Sequence, residues 1–463
     1  MKERSELFPP PIPQNPPLDG PVLLKDGRPA YLRVAEPGDL DRLTRLLERT
    51  SESARHFRFM GGVSPREGAQ ALLARRENGG LTLVVTVGEE GEIAGVGSYT
   101  RSDDSKAEVA FLVEDRFQGN GVGTLLLERL ALAASREGIE RLVGFVSPEN
   151  EKMLNVFQTS GFEVSRRWEG GEIEITLDIE PTRRSTESAE ARDLVATVHS
   201  LEPFFHPRSV AVIGASRDPG SIGYRVLQNI IQSGFTGPVF PINPKADVVA
   251  SIPAYPSVKD VPRPVDLAVI AVPAPIVLQV VDDCAEKGVR ALVVLTAGFA
   301  ETGPEGKELQ RRLLEKVRGN GMRMVGPNCL GFLNLDPRTR LNATFAPTKP
   351  LPGRVAMSSQ SGALGIAIIE YAREMGLGLS SFVSVGNKAD VSGNDLLQYW
   401  ENDPQTDLIL LYLESFGNPR RFSRIARRVG KKKPILAVKS GRTSAGKRAA
   451  GSHTAALAAN GVG

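Results

Sequence analysis

The chain has 463 residues, 41% of them hydrophobic and 24% charged, with a net charge of only +3. That is the composition of an ordinary soluble globular protein of about three domains at ~150 residues each, and the small charge does not demand a nucleic-acid partner. No run reaches the ~18 apolar residues of a membrane span, and the N-terminus lacks a signal-peptide core. The two cysteines, Cys284 and Cys329, imply no disulfide framework, so a reducing cytoplasm is the default.

Residues 1–20 carry a proline-rich stretch (Pro9-Pro10-Pro11-Ile12-Pro13) and read as an extended tail. A first domain is expected over 21–180. Helix-like periodicity covers 38–50 and 66–76, and strand-like runs cover 81–87, 93–100, 107–113, 142–147 and 172–179. Residues 181–202 are polar and read as a linker. From Ser209 apolar runs alternate with helical stretches: 210–213, 239–242, 267–272, 292–295 and 322–325, then 355–358, 381–385, 408–413 and 435–439. Continuous apolar strands with helices between them argue for parallel sheets covered on both faces. Two doubly wound domains follow, over 203–334 and 335–463. The glycine- and alanine-rich stretch at Gly463 reads as a truncated end. Basic residues gather between Arg420 and Arg448, which fits a solvated surface or a phosphate neighbourhood.

The most informative stretch is Arg116-Phe117-Gln118-Gly119-Asn120-Gly121-Val122-Gly123, between a strand-like run and a helix expected from Thr124 to Arg136. Unpaired N–H groups and the positive end of the helix dipole suit a pyrophosphate there. Acyl transfer to an amine also needs a polarised thioester and a base. A strand amide near Leu112–Val113 could meet the first need and Glu108 the second. A solvated strand residue is the other reading of Glu108.

The Q-x-x-G-x-G spacing resembles the acyl-CoA loop of GNAT acetyltransferases. So does Asn150-x-x-Met153-x-x-Val156-Phe157-x-x-x-Gly161-Phe162, which implies that Asn150 and Phe157 border the CoA arm. The family often has a tyrosine at the place of Phe157 as general acid, so that role has no residue here. Ser51-Glu-Ser53-x-x-His56-Phe57-Arg58-Phe59 resembles bacterial protein lysine acetyltransferases and implies the acceptor side, with His56 itself reading as packing or surface.

A second phosphate loop, Gly214-Ala215-Ser216-Arg217-Asp218-Pro219-Gly220-Ser221-Ile222-Gly223, follows the first strand of the middle domain. An NAD site would want an acidic residue about 20 residues on. Lys245 stands there instead, and a cation suits a phosphorylated ribose; an ordinary surface lysine is the alternative. Five words in order, Val272-Pro273-Ala274-Pro275, Gly326-Pro327-Asn328-Cys329, Ser359-Gln360-Ser361-Gly362, Asp403-Pro404-Gln405-Thr406-Asp407 and Gly451-Ser452-His453-Thr454, resemble the succinyl-CoA synthetase α-subunit and NDP-forming acetyl-CoA synthetases. The resemblance implies that Gly214, Ser216, Gly220, Gly223 and Lys245 hold CoA, with Pro273 and Asn328 near its reactive arm. It implies His453 as a phosphate carrier. Glu414 could orient its ring, and the helix start at Ser359, Ser361 and Gly362 could bind the phosphoryl group. Cys329 reads as a small buried residue.

The fold expected is therefore α/β throughout: a GNAT fold with a mixed central sheet, a Rossmann-like CoA-binding domain and a flavodoxin-like CoA-ligase domain. The expected activity is acetyl transfer from acetyl-CoA to protein lysine, regulated by the CoA-binding region. An AMP-forming acyl-CoA synthetase is the acceptor the resemblance suggests. The alternatives are an ADP-forming acyl-CoA ligase and a non-catalytic acyl-CoA sensor. The ligase would need an ATP-grasp domain or subunit, and with it ATP/ADP and Mg, since no match to an ATP-grasp pattern occurs in these residues. No metal site, nucleic acid or membrane is assigned; a homo-oligomer is allowed, with no residue selecting it.

Overall fold

The computed structural model describes residues 18–59, 62–75 and 79–440. Most of the proline-rich tail and all of His453 lie outside them. The chain divides into two compact units, the first made of residues up to 190 except 23–30 and 87–91, the second of those two short segments and everything from 191 onward.

The first unit begins with β1 (Gly20–Leu23) and β2 (Pro29–Val34), then α1 (Leu40–Arg49), α2 (Glu52–Phe59) and α3 (Pro65–Ala74). It continues with β3 (Gly80–Val87), β4 (Glu92–Arg101), β5 (Lys106–Val113), α4 (Val122–Arg136), β6 (Arg141–Val146), α5 (Glu151–Thr159), β7 (Glu163–Glu169) and β8 (Glu172–Asp178). The sheet order is β1-β2-β3-β4-β5-β6-β8-β7. β4 and β5 pair antiparallel over their whole length, from Gly95↔Val113 to Arg101↔Ala107. β5 and β6 pair in parallel only from Lys106↔Arg141 to Glu108↔Val143. Beyond Glu108 the two strands part, which leaves an opening in the middle of the sheet. One face is covered by α1 and α3 through Leu43, Leu46, Leu47, Ala69 and Leu72. α4 covers β4 from the other side; a Cβ at Gly97 would meet Leu130 at 3.0 Å, so the glycine sets how close that helix lies.

Residues 181–202, read as a linker, are for the most part helical: α6 runs from Arg183 to Phe205. Its first half is built of helix-forming charged and small residues with little apolar periodicity. Its last turns bury Leu201, Phe204 and Phe205 in the core of the second unit.

Among its described residues that unit holds two large sheets, with a separate two-stranded hairpin beside the first in the chain. The first contains β9 (Val210–Ile213), α7 (Ile222–Ser233), β10 (Val239–Ile242), the short hairpin β11 (Val248–Val249) and β12 (Ile252–Pro253), β13 (Leu267–Ile270), α8 (Ala274–Lys287), β14 (Ala291–Val294), α9 (Pro304–Gly319) and β15 (Arg323–Val325). Its five strands are parallel in the order β10-β9-β13-β14-β15. A lone parallel bridge, Ile242↔Tyr255, extends the sheet beyond β10. With that bridge counted as a reduced third strand, the order becomes 3-2-1-4-5-6, the dinucleotide-binding arrangement.

The last sheet contains β16 (Gly331–Asn334), β17 (Leu341–Thr344), β18 (Pro352–Ser359), α10 (Gly362–Glu374), β19 (Leu379–Ser384), α11 (Gly393–Asn402), β20 (Leu408–Leu413), α12 (Pro419–Val429) and β21 (Ile435–Lys439). Its order is β17-β16-β19-β18-β20-β21, with β16 antiparallel to both of its neighbours. β16 lies before the expected boundary at residue 334 yet hydrogen-bonds into this third sheet. The parallel part, β19-β18-β20-β21, has the 2-1-3-4 flavodoxin-like order.

A buried ion cluster fixes the second unit. Asp390 accepts from Arg323 Nε at 2.8 Å, from Arg318 Nη2 at 2.8 Å and from Met324 N at 2.9 Å. Burial pushes its pKa up, but the two guanidinium groups outweigh that and hold it below the ordinary carboxylate value.

Candidate functional site

In the first unit the opening between β5 and β6 is the centre of the site. Glu114 N–H donates to Ala94 O in β4. Even-numbered residues of β5 therefore turn their backbone toward β4, and odd-numbered ones turn it toward the opening. Val113, not Leu112, thus presents its amide to the gap, while its carbonyl accepts from Gln118 Nε2 at 3.2 Å. Gln118 Oε1 accepts from Lys152 Nζ at 2.8 Å, so this side chain ties the strand end to α5.

Gly119 and Gly121 have φ of +79° and +84°. Nothing lies within 4 Å of a Cβ built on Gly119, so the loop faces open space. Gly121 is the N-cap of α4 and supplies no side-chain cap. The N–H groups of Val122, Gly123 and Thr124 are thus left without an intrahelical acceptor, which is the donor set a pyrophosphate requires. Asp115, just before the loop, accepts from Ser51 N at 2.8 Å and Ser51 Oγ at 2.9 Å. Burial opposes the ionised form of Asp115, but these hydrogen bonds keep its pKa low.

Glu108 is exposed and lies on the face of the sheet that carries α1 and α3. Two arginines flank it. Arg58 in α2 is 7% exposed and donates through Nη2 to Ser98 Oγ at 2.8 Å. Burial pushes its pKa down to about 9, assisted by Arg75 and opposed by Glu108. Arg75 donates to Thr100 Oγ1 at 2.6 Å, and Thr100 is the cross-strand partner of Glu108. In the sequence Arg58 stands within the acceptor-side segment with no role of its own, and Arg75 belongs to no motif. Their signal was weak: two arginines in helices look like surface charge.

Asn150 caps α5 through its Oδ1, which accepts from Met153 N at 3.1 Å. Phe157 is core: it is 1% exposed and meets Phe111 edge-on at 6.1 Å. With no titratable atom there, the general acid stays without a side chain. His56 is exposed on α2.

In the second unit the loop after β9 is built differently. Gly214 has φ +91°, and a Cβ there would meet Ala271 O at 2.5 Å; a Cβ at Gly223 would meet Gly214 O at 2.0 Å. These glycines let backbone pass backbone. Asp218, which the sequence reading did not single out, organises the turn: its Oδ1 accepts from Gly220 N at 2.9 Å and its own N–H donates to Ser216 Oγ at 3.0 Å. Ser221 caps α7 by accepting from Tyr224 N. Asn243 joins the next strand end to this loop, donating to Ala215 O at 2.6 Å and accepting from Lys245 N at 2.8 Å. The Lys245 side chain is exposed at that junction. Pro273 is the N-cap residue of α8. Asn328 has φ +56°, and its amide donates to Asn387 Oδ1 at 3.3 Å. All of these residues follow the C-terminal ends of parallel strands, where open α/β sheets bind their ligands.

Ser359, Ser361 and Gly362 are together at the start of α10. Ser359 Oγ donates to Ser361 O at 2.7 Å, and Ser361 Oγ caps the helix at Leu364 N. Gly362 and Ala363 supply the remaining N–H groups. Glu414 follows β20 and accounts for the upward pull on the pKa of Lys388, against the dominant downward push of burial. Its assigned partner, His453, is outside the described residues. Cys329 is buried and donates to Val294 O at 3.3 Å, and burial pushes its thiol up to about 12, which leaves it protonated and inert. No helix among the described residues is long and apolar enough to cross a membrane.

Comparison with known proteins agrees with this division. Residues 30–163 match the acetyltransferase (GNAT) domain family, residues 208–334 a CoA binding domain, and residues 352–462 a succinyl-CoA ligase like flavodoxin domain. The chain is similar to the acetate–CoA ligase [ADP-forming] I subunit alpha of Pyrococcus furiosus, with 46% identity over 263 residues, 56% of each chain. It is similar to succinate–CoA ligase [ADP-forming] subunit alpha 2 of Archaeoglobus fulgidus, with 30% identity over 222 residues, 46% of this chain and 73% of that one. Among solved structures it resembles dinucleotide forming acetyl-coenzyme A synthetase 1 of Ca. Korarchaeum cryptofilum in complex with phosphate and ADP, with a TM-score of 0.52, 49% identity and 55% of each chain covered. The chain spans about half the length, or less, of the first curated relatives it matches, 56% of the Pyrococcus protein and 37% of an Archaeoglobus one.

Proposed function

From a chain that belongs, over residues 208–462, to the ADP-forming CoA ligase α-subunit family and carries a GNAT acetyltransferase domain at 30–163, we infer an acetyl-CoA-dependent N-acetyltransferase acting on protein lysine. The observation that carries this reading is the end of β5–β6 pairing at Glu108, beside an uncapped α4. Val122, Gly123 and Thr124 donate to the pyrophosphate, and Val113 N–H donates to the thioester oxygen as negative charge grows on it. Glu108 takes the proton of the acceptor ammonium, directly or through a water. The thiolate leaves with a proton from water, since Phe157 has none to give. The second unit would regulate transfer through CoA bound at the Gly214–Gly223 loop and Lys245.

Incubation with acetyl-CoA and candidate acceptors, an AMP-forming acyl-CoA synthetase among them, tests the reading by mass spectrometry. New acetyl-lysine in the presence of the protein, absent with Glu108→Gln, supports it. No acetylated acceptor in any such mixture counts against it.

A second reading is favoured by the relatives named as ligase α-subunits. In it the second unit contributes to ADP-forming acyl-CoA ligation, with His453 carrying phosphate. ATP, ADP and Mg would enter through an ATP-grasp partner. Labelled phosphate on His453 when that partner is added supports it, and the absence of label leaves the CoA-binding role alone.

A further inference from the structure

Half of the sheet face that carries Glu108 is open. The helices on that side, α1 and α3, pack on β3, β4 and β5, with Val84, Val96 and Leu112 in the core they share. Glu108 pairs with Val143, and side chains alternate along a strand, so Val143 and Phe145 share its face. The register carries that face across two more strands, from Phe145 to Glu174 in β8 and on to Arg167 in β7. Behind it the strands are packed, with Leu142, Val146, Ile175 and Leu177 buried. On the open face none of the described residues of β6, β8 and β7 is buried.

Phe145 is 38% exposed and stands just past the last β5–β6 pair, so it borders the opening on the β6 side. Beside it the surface is acidic. Glu174 lies opposite Phe145, and Glu172 and Glu169 form the next row. Arg167 Nη2 donates to Glu169 at 2.8 Å and to Glu174 at 3.4 Å. Three carboxylates against this one guanidinium leave the region negative, in a chain whose net charge is +3. The β4 side of Glu108 has the opposite sign, with Arg58 and Arg75 held by Ser98 and Thr100. Arg58 Nε is buried there without a hydrogen-bond partner. Ser98 pairs with Ala110, the next residue after Glu108 on this face. An orphaned donor at the edge of the opening calls for an oxygen from outside the chain.

We propose that the acceptor protein docks on the open β6–β8–β7 face, with the lysine stem on Phe145 and a basic residue beside that lysine held by Glu172 and Glu174. An oxygen of the acceptor main chain meets Arg58. The field runs from positive over β4 to negative over β7 and β8, and so it gives the incoming chain a direction. Glu108 and Glu174 lie two strands apart, roughly 10 Å, a span that a lysine and its neighbour cover together. A free polyamine brings no oxygen for Arg58. The proposal rests on the reading of Glu108 as the base of an acetyltransferase.

The test uses three fluorescent peptides of equal length, each with one central lysine flanked by arginines, serines or glutamates. They are titrated against the whole chain with CoA present, and fluorescence anisotropy reads binding without turnover. The arginine-flanked peptide is expected to bind about tenfold or more tighter than the glutamate-flanked one, the scale of two surface ion pairs, although the net charge of the chain favours the reverse. Glu172→Gln combined with Glu174→Gln should remove that preference, and about 0.5 M salt should shrink it. Phe145→Ser should weaken all three peptides about fivefold or more through lost contact with the lysine stem, with CoA affinity unchanged. The proposal is overturned by equal affinity for the three peptides, by a preference that survives in the double variant, by unchanged binding in Phe145→Ser, or by tighter binding of spermidine than of the arginine-flanked peptide. Mass spectrometry of the same peptides after incubation with acetyl-CoA keeps the two readings apart. Acetyl-lysine on all three alike upholds transfer and overturns the docking face, whereas selective binding with no acetyl-lysine upholds the face and counts against transfer.

Discussion

Two glycine-rich loops open helices in this chain, and they use glycine for different ends. At Gly119 a side chain would meet nothing within 4 Å, and α4 begins without a side-chain cap. At Gly223 a side chain would meet Gly214 O at 2.0 Å, and α7 begins with Ser221 as its cap. The first loop keeps its backbone donors and the space before them free for a ligand. The second spends its glycines on close backbone packing and one donor on its own serine, and the exposed Lys245 stands at the end of the next strand. A glycine-rich motif can therefore be built in two ways, and the atoms a Cβ would meet show which glycines leave space open and which permit close backbone packing.

That contrast can be broken or sharpened by substitution. The largest effect is expected at Glu108, which separates chemistry from binding at the first loop. Glu108→Gln should lower the rate of acetyl transfer by about 10²- to 10⁴-fold while acetyl-CoA affinity, read by calorimetry, stays unchanged.

In the second unit the frame around the loop matters more. Asp390→Asn removes the carboxylate that neutralises Arg318 and Arg323, and should cost about 3–5 kcal/mol in urea unfolding. The folded pKa of Asp390 lies below its unfolded value near 3.9. Its stabilisation is thus complete above about pH 5 and lost as the pH falls through the folded pKa, so the gap between wild type and variant should close in acid.

Gly223→Ala should destabilise by about 1–3 kcal/mol or more, since a backbone carbonyl cannot move aside. Ser221→Ala should cost about 1 kcal/mol through loss of the cap. Gly119→Ala should cost no more than about 1–2 kcal/mol, from its left-handed backbone alone. Equal losses at Gly119 and Gly223 would erase the distinction between the loops.

Much of this was legible in the sequence. The strands at 107–113 and 210–213 carry clear apolar patterns, and the loop at 116–123 announces itself by its glycines. β16 and β17 escaped because Gly331, Asn334, Asn342 and Thr344 leave no continuous apolar run, and because they pair antiparallel at a sheet edge. α6 was read as a linker because its polar first half hides its apolar end. At the sites, Arg58 and Asp218 give little signal in the sequence: one meets Ser98, distant in the chain, and the other shapes the turn around itself. Only the fold brings Arg58 near Glu108.

The most direct test of the account counts CoA sites. Calorimetric titration of the chain with CoA should give two sites. Gly123→Asp, which fits sterically because its Cβ would meet Val156 at 3.6 Å and Val113 at 4.0 Å, should remove one of them by placing an anion at the start of α4. Lys245→Glu should remove the other, and the double variant should bind nothing. A single site in the wild type, or one variant that abolishes both, would contradict the claim that each unit holds its own CoA.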